Sequence, residues 1–176
     1  QLLAKSNPQP TERDYMRVIE NKTAILFRAA AECGAILANA EAATAEALGR
    51  FGMHIGTAFQ LIDDVLDYQG EAEAMGKNLG DDLAEGKSTL PLLFAMTHCP
   101  ADEQALIKAC LAAESPKAEQ LHQVIEIVLK SGGIAYTLER AEQQATQAKA
   151  CLSFLPDSQY RETLDQMVDF ALRRSN

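Results

Sequence analysis

The stretch "TAEALGRFGMHIGTAFQLIDDVLDY", residues 44–68, decides the fold. Its apolar residues recur at helical spacing, which predicts one long helix over Thr44–Tyr68. Gly49, Gly52 and Gly56 also follow one another at helical spacing, predicting close helix packing or room for a ligand. The end of the stretch sets Asp63, Asp64 and Asp67 among Phe59, Leu61, Ile62, Val65, Leu66 and Tyr68. On a helix, Asp63 and Asp67 project from the same side, one turn apart, with Asp64 about 100° round from Asp63. Two carboxylates ~4 Å apart repel by about 4 kcal/mol at an effective dielectric of 20. Water, a basic partner or a cation must offset that. A solvated acidic face is the ordinary reading of DDxxD, but apolar neighbours on every other side point these acids into an internal cavity. Hard oxygen donors with no His or Cys nearby suit Mg²⁺, which keeps several waters and shares itself with substrate phosphates.

Helical periodicity continues in both directions. Leu121, Val124, Ile125, Val128 and Leu129 mark one buried face, ended by Ser131-Gly132-Gly133. Ile134, Leu138, Ala141, Ala145 and Ala148 mark the next. After Leu155-Pro156, Asp157 is a good N-cap for a last helix with Tyr160, Leu164, Met167 and Ala171 inward. Upstream, Thr11 and Asp14 resemble a capping box for a helix running to about Leu37. No segment alternates long enough for a sheet, so the fold class is all-α. A single domain suits 176 residues of which 47% are apolar. A net charge of −9 argues against a nucleic-acid partner. Cys33, Cys99, Cys110 and Cys151 form no CxxC pair, the pattern of reduced thiols in a cytoplasmic protein. No apolar run approaches the ~18 residues of a transmembrane segment.

The longest non-periodic stretch, Gln69 to Lys87, follows the aspartates directly and is read as functional. A bound diphosphate needs cations from the protein as well, and Lys22, Lys77 and Lys87 are the candidates, although any single lysine is more often a solvated surface charge. Lys22 lies mid-helix in "ENKTAILF", which places its ammonium and Asp63 on one cavity. Lys77 and Lys87 bracket "GKNLGDDLAEGKSTLP", where Ser88 can cap the next helix with Pro91 in its first turn. The "GKS" at 86–88 is not a P-loop: Asp81 stands where a Walker A glycine belongs, and no strand precedes it. His54, His98 and His122 are isolated and support no catalytic triad.

Taken together, "KTA" at 22–24, "FQLIDDVLD" at 59–67 and "GKNLGDDLAEGKSTLPLL" at 76–93 resemble the trans-isoprenyl (polyprenyl) diphosphate synthases, and among them the bacterial long-chain, octaprenyl-forming enzymes. The likeness extends over essentially the whole chain. It implies an antiparallel helical bundle around a central cavity, the isoprenoid synthase fold. It also implies Mg²⁺-dependent condensation of isopentenyl diphosphate with an allylic prenyl diphosphate, making long-chain (octaprenyl) diphosphate for quinone side chains. Asp63 matches the principal metal ligand, with Asp64 and Asp67 bound directly or through water. Lys22 and Lys77 match lysines on the allylic diphosphate, Thr23, Gln60 and Lys87 line the same substrate site, and Asp82 orients the loop. Metals and lysines stabilise the leaving diphosphate as an allylic cation forms, and no protein nucleophile is required.

The resemblance further implies that these residues are the C-terminal half of a chain of roughly double the size. On that reading the first Asp-rich motif and its paired arginines lie upstream, the 176 residues by themselves do not couple the two substrates, and the protein is a cytoplasmic homodimer. Two rival readings carry the same composition: a non-catalytic helical subunit of a prenyl synthase, and a class I terpene cyclase. The intact set of acids and lysines argues against the first. The second DDxxD, where cyclases mix Asn, Ser or Thr with Glu, argues against the other.

Overall fold

A computed structural model describes residues 10–69, 79–113 and 115–174, and no strand occurs among them. Helix α1 (Glu12–Ile19) runs through a single π turn, Glu20–Ala24, into α2 (Ile25–Leu37). Then come α3 (Ala42–Gln69), α4 (Asp81–Ala84), α5 (Leu90–His98), α6 (Ala101–Ala112), α7 (Ala118–Ser131), α8 (Gly133–Cys151) and α9 (Gln159–Arg173). The long helix read from residues 44–68 is therefore α3, extended by a few residues at its ends.

The described chain forms two compact units. One takes residues up to Tyr15 together with Asp63–Leu138; the other takes Met16–Ile62 and residues from Glu139 onward. In the first, α7 packs against both α5 and α6, around a core that includes Val65, Tyr68, Leu92, Ile107, Val124 and Val128. Packing by two helices explains a shift from the expected α7 face. Ile127 is buried to 7% exposure, whereas Leu129, expected inside, is 43% exposed. Gly132, left-handed at φ 87°, ends α7 where the Ser-Gly-Gly run places the stop.

In the second unit, α2 and α3 lie side by side at backbone contact. A Cβ on Gly52 would stand 2.4 Å from the Phe27 carbonyl oxygen, and one on Gly56 2.7 Å from the Ala24 Cα. The glycine spacing thus serves packing within one chain. Ala141, Ala145 and Ala148 of α8 are buried as the stripe predicts, and Ala145 and Ala148 pack with Phe51, Ile55 and Val168. The α9 face differs from expectation: Leu164, Val168 and Ala171 turn inward while Tyr160 and Met167 are exposed. Large apolar residues on both sides of that helix left its rotation undetermined by pattern alone.

Two caps also differ. Ser158, not Asp157, caps α9 by accepting from the Arg161 N–H, and Asp157 instead pairs with the Arg161 guanidinium at 2.7 Å. Thr89, not Ser88, occupies the cap position of α5, with Pro91 in the first turn as expected. The Thr11–Asp14 box forms as read: the Thr11 N–H donates to Asp14 Oδ2 at 3.1 Å, and the Asp14 N–H to Thr11 Oγ1 at 3.2 Å.

Candidate functional site

The C-terminal turns of α3 carry the acids, and each of them meets a different environment. Asp64 is 3% exposed and accepts a 2.7 Å hydrogen bond at Oδ2 from the Tyr15 hydroxyl, on α1. Burial, and then the Asp64 carboxylate, push the Tyr15 pKa well up, so the phenol stays a donor through the neutral range. Tyr68, one turn beyond Asp64, shares a 3.1 Å hydrogen bond with Thr89. Burial raises its pKa too, outweighing the Thr89 bond that lowers it.

Asp63 and Asp67 are half-buried and lie on the same side of α3 by their spacing. Asp67 holds the segment that follows. Its carboxylate accepts from the Asp82 N–H at 3.2 Å and its main-chain oxygen from the Gly80 N–H at 2.9 Å. The side chain thereby satisfies one orphan donor at the start of α4, the service a local cap usually performs. Gly80 makes that approach possible: it is left-handed at φ 79°, and a Cβ there would lie 2.8 Å from Ile125 Cδ1. Asp82 in turn pairs with Lys87, whose Nζ lies 2.6 Å from Asp82 Oδ1 and 2.8 Å from Glu85 Oε2. Partial burial lowers the Lys87 pKa, but hydrogen bonds to Asp82 and Glu85 outweigh it and the net shift is upward. The ammonium is held charged by the loop's own acids.

The other residues singled out from the sequence belong to the second unit, apart from Lys77. Lys22 and Thr23 sit in the π turn, a deformation frequent at functional sites. Thr23 Oγ1 donates to Gln60 Oε1 at 2.9 Å, joining the π turn to α3. Gln60 itself precedes Asp63 by one helical turn. Lys22 is exposed. Lys77, with Gly76, lies outside the described residues. Phe59 packs against Phe27 at 5.5 Å between ring centroids and lies under the Arg174 guanidinium at 4.2 Å.

Among the described residues no group of three or more His, Cys, Asp and Glu side chains could by itself hold a metal ion. The available donors are carboxylate oxygens: Asp63 and Asp67 are half-buried, and Asp64 and Asp67 already accept hydrogen bonds. Such a set suits a hard divalent cation that retains water and takes further oxygens from a phosphate ligand. It does not suit zinc, which favours four nitrogen or sulfur ligands in closed sites. Sequence reasoning missed Tyr15 and the π turn. A signal for the tyrosine existed: it shares an inward face with Ile19, four residues on, and a buried tyrosine needs a partner for its hydroxyl.

The polyprenyl synthetase family model matches residues 1–128. The chain belongs to the polyprenyl synthetase family. Relatives within the family include the octaprenyl diphosphate synthases of Haemophilus influenzae and Escherichia coli. The first is 42% identical over 175 residues, 99% of this chain and 53% of that protein. The second is 44% identical over 174 residues, 99% of this chain and 54% of that protein. Among solved structures, a polyprenyl synthase from Caulobacter crescentus CB15, complexed with calcium and isoprenyl diphosphate, superposes with a TM-score of 0.94. It is 38% identical and covers 100% of this chain and 54% of that one. A decaprenyl diphosphate synthase from Rhodobacter capsulatus superposes with a TM-score of 0.90 at 36% identity, covering 100% and 54%. This polyprenyl synthetase chain therefore has the all-α isoprenoid synthase fold, and it spans about half the length of the curated relatives it matches.

Proposed function

We propose that this chain is the C-terminal half of a chain-elongating polyprenyl diphosphate synthase, which condenses isopentenyl diphosphate with an allylic prenyl diphosphate. The observation that carries the reading is the organised acidic end of α3: Asp64 held by Tyr15, and Asp67 joined through Asp82 to Lys87. It supports a site built for a cation shared with a phosphate ligand, and a related polyprenyl synthase was crystallised with calcium and isoprenyl diphosphate together.

In this reading Asp63 would be the principal residue holding Mg²⁺, with Asp64 and Asp67 contributing directly or through water. When bound, the metal supplies positive charge that stabilises the departing diphosphate. Lys22 and Lys77 contact the allylic diphosphate, and Thr23 and Gln60, fixed to each other, line that site. Lys87 lines it while its ammonium is oriented by Asp82 and Glu85, and Asp67 fixes the start of the loop helix. The allylic C–O bond breaks, the double bond of isopentenyl diphosphate attacks the carbon left behind, and a proton leaves to the released diphosphate. The product is octaprenyl diphosphate for quinone side chains, a choice supported by the identity to two octaprenyl synthases.

The full-length protein acts as a cytoplasmic homodimer. Apolar residues left exposed on α2, Leu26 at 68%, Ile36 at 59% and Leu37 at 82%, support burial of that helix against further protein. No helix among the described residues is long and apolar enough to cross a membrane. The test is an incubation of the full-length protein with radiolabelled isopentenyl diphosphate, farnesyl diphosphate and Mg²⁺. Mg²⁺-dependent incorporation into a C40 product is expected. No incorporation, or a cyclised hydrocarbon, would overturn the reading.

A further inference from the structure

We propose that Tyr15 is a positioning residue for the acidic site: its hydroxyl fixes one carboxylate oxygen of Asp64, and thereby sets how the aspartates of α3 present themselves to a divalent cation. The inference rests on the proposed function, and it assigns a role to a residue that lies outside the aspartate and lysine motifs.

The geometry is that of a built contact. Donor and acceptor are 7% and 3% exposed, and come from positions 49 apart in the chain. Their 2.7 Å separation is that of a well-formed O–H···O hydrogen bond. Tyr15 is itself held in place. The Thr11–Asp14 box fixes the start of α1, and the Tyr136 hydroxyl on α8 donates to Glu12 Oε2 at 2.7 Å. The helix that carries the ring is therefore anchored at its first turn.

Two consequences follow from elementary chemistry. One lone pair of Asp64 Oδ2 is committed to Tyr15, which narrows the directions from which that oxygen can meet a cation. The bond also removes rotational freedom that cation binding would otherwise have to freeze. Partners of this kind, hydrogen-bonded to ligating groups, commonly change metal affinity or activity 10–100-fold when removed.

The experiment uses the full-length polypeptide and Mn²⁺ as a spectroscopic probe. Free Mn²⁺ is followed by electron paramagnetic resonance during titration in the presence of inorganic pyrophosphate. Tyr15→Phe should weaken Mn²⁺ binding by about 10–100-fold, and excess Mg²⁺ should recover most of the maximal elongation rate. Tyr68→Phe, which removes an equally buried hydroxyl paired with Thr89 and no carboxylate, should lower the thermal midpoint but leave Mn²⁺ affinity within about twofold, since its hydroxyl touches no ligand. Binding by Tyr15→Phe within twofold of wild type would overturn the proposal. So would an equal loss in both variants, which would make the effect general loosening. A wild-type protein that binds no Mn²⁺ with pyrophosphate would overturn the proposed function along with it.

Discussion

Replacing Gly56 by alanine tests the link between helix packing and the site. The added Cβ would lie 2.7 Å from the Ala24 Cα and 3.0 Å from two atoms of the Phe27 ring. Ala24 is backbone in a helix and cannot swing aside, so the two helices must part by about 0.8 Å to restore ordinary carbon contact. The residue before Ala24 is Thr23, whose 2.9 Å bond to Gln60 crosses the same gap. The separation stretches that bond to about 3.7 Å, beyond hydrogen-bonding range. Overpacking costs roughly 1–3 kcal/mol and the lost hydrogen bond about 1. The better helix propensity of alanine returns about 1. A net destabilisation of about 2 kcal/mol should lower the thermal midpoint by about 4–8 °C for a chain of this size. Calorimetry and circular dichroism read the midpoint, and equilibrium binding of an allylic diphosphate reads the site. Gly34→Ala is the control, because its Cβ meets nothing within 4 Å, and it should stabilise by about 0.5–1 kcal/mol. If Gly56→Ala is as stable as wild type while Gly34→Ala behaves as expected, the close-packing argument is wrong.

Gly80→Ala forces a side chain into a left-handed position, at about 1–2 kcal/mol, and pushes on Ile125. Amide exchange at Asp82 should accelerate as its bond to Asp67 loosens, and unchanged protection would count against the anchoring role. Lys149 has its pKa raised by the hydrogen bond to Asp169, against partial burial, with Asp165 adding to it. Its stabilisation is fully present below the unfolded lysine value of about 10.4 and is lost as pH rises through the higher folded value. Lys149→Met should therefore flatten the decline of stability above about pH 10, by under about 1 kcal/mol because the side chain is 37% exposed. A decline as steep as wild type's would show that the pair contributes nothing.

What the sequence made legible has a physical boundary. Helix existence was readable because each long helix repeats its apolar face over several turns, and α3 came out close to its expected span. The rotation of α9 was not, because Tyr160, Met167 and Phe170 are as apolar as the residues that do turn inward, and only the packed partner decides between them. Caps misread by one residue, Asp157 for Ser158 and Ser88 for Thr89, reflect neighbours of nearly equal capping strength. Asp63, Asp64 and Asp67 were legible as a set through their spacing and the surrounding motifs. Their separate environments were not. The bond to Tyr15 joins positions 49 apart, and the one to Asp82 depends on a left-handed Gly80. The π turn under Lys22 and Thr23 has no residue signature of its own, since Glu20–Ala24 contains neither glycine nor proline.

The central claim is that the α3 carboxylates hold a cation against charge that develops as diphosphate leaves. Its most direct test is the elongation rate of full-length Asp63→Ala, measured with radiolabelled isopentenyl diphosphate and farnesyl diphosphate across a Mg²⁺ titration. Glu142, exposed on α8, supplies the comparison variant Glu142→Ala. The account predicts that Asp63→Ala loses at least about 100-fold in turnover, as expected for removing a stabiliser of developing charge. Helical content should stay unchanged, added Mg²⁺ should restore the rate only partly, and Glu142→Ala should match wild type. An Asp63→Ala protein that elongates at the wild-type rate would contradict it, and would leave the aspartates as structural residues.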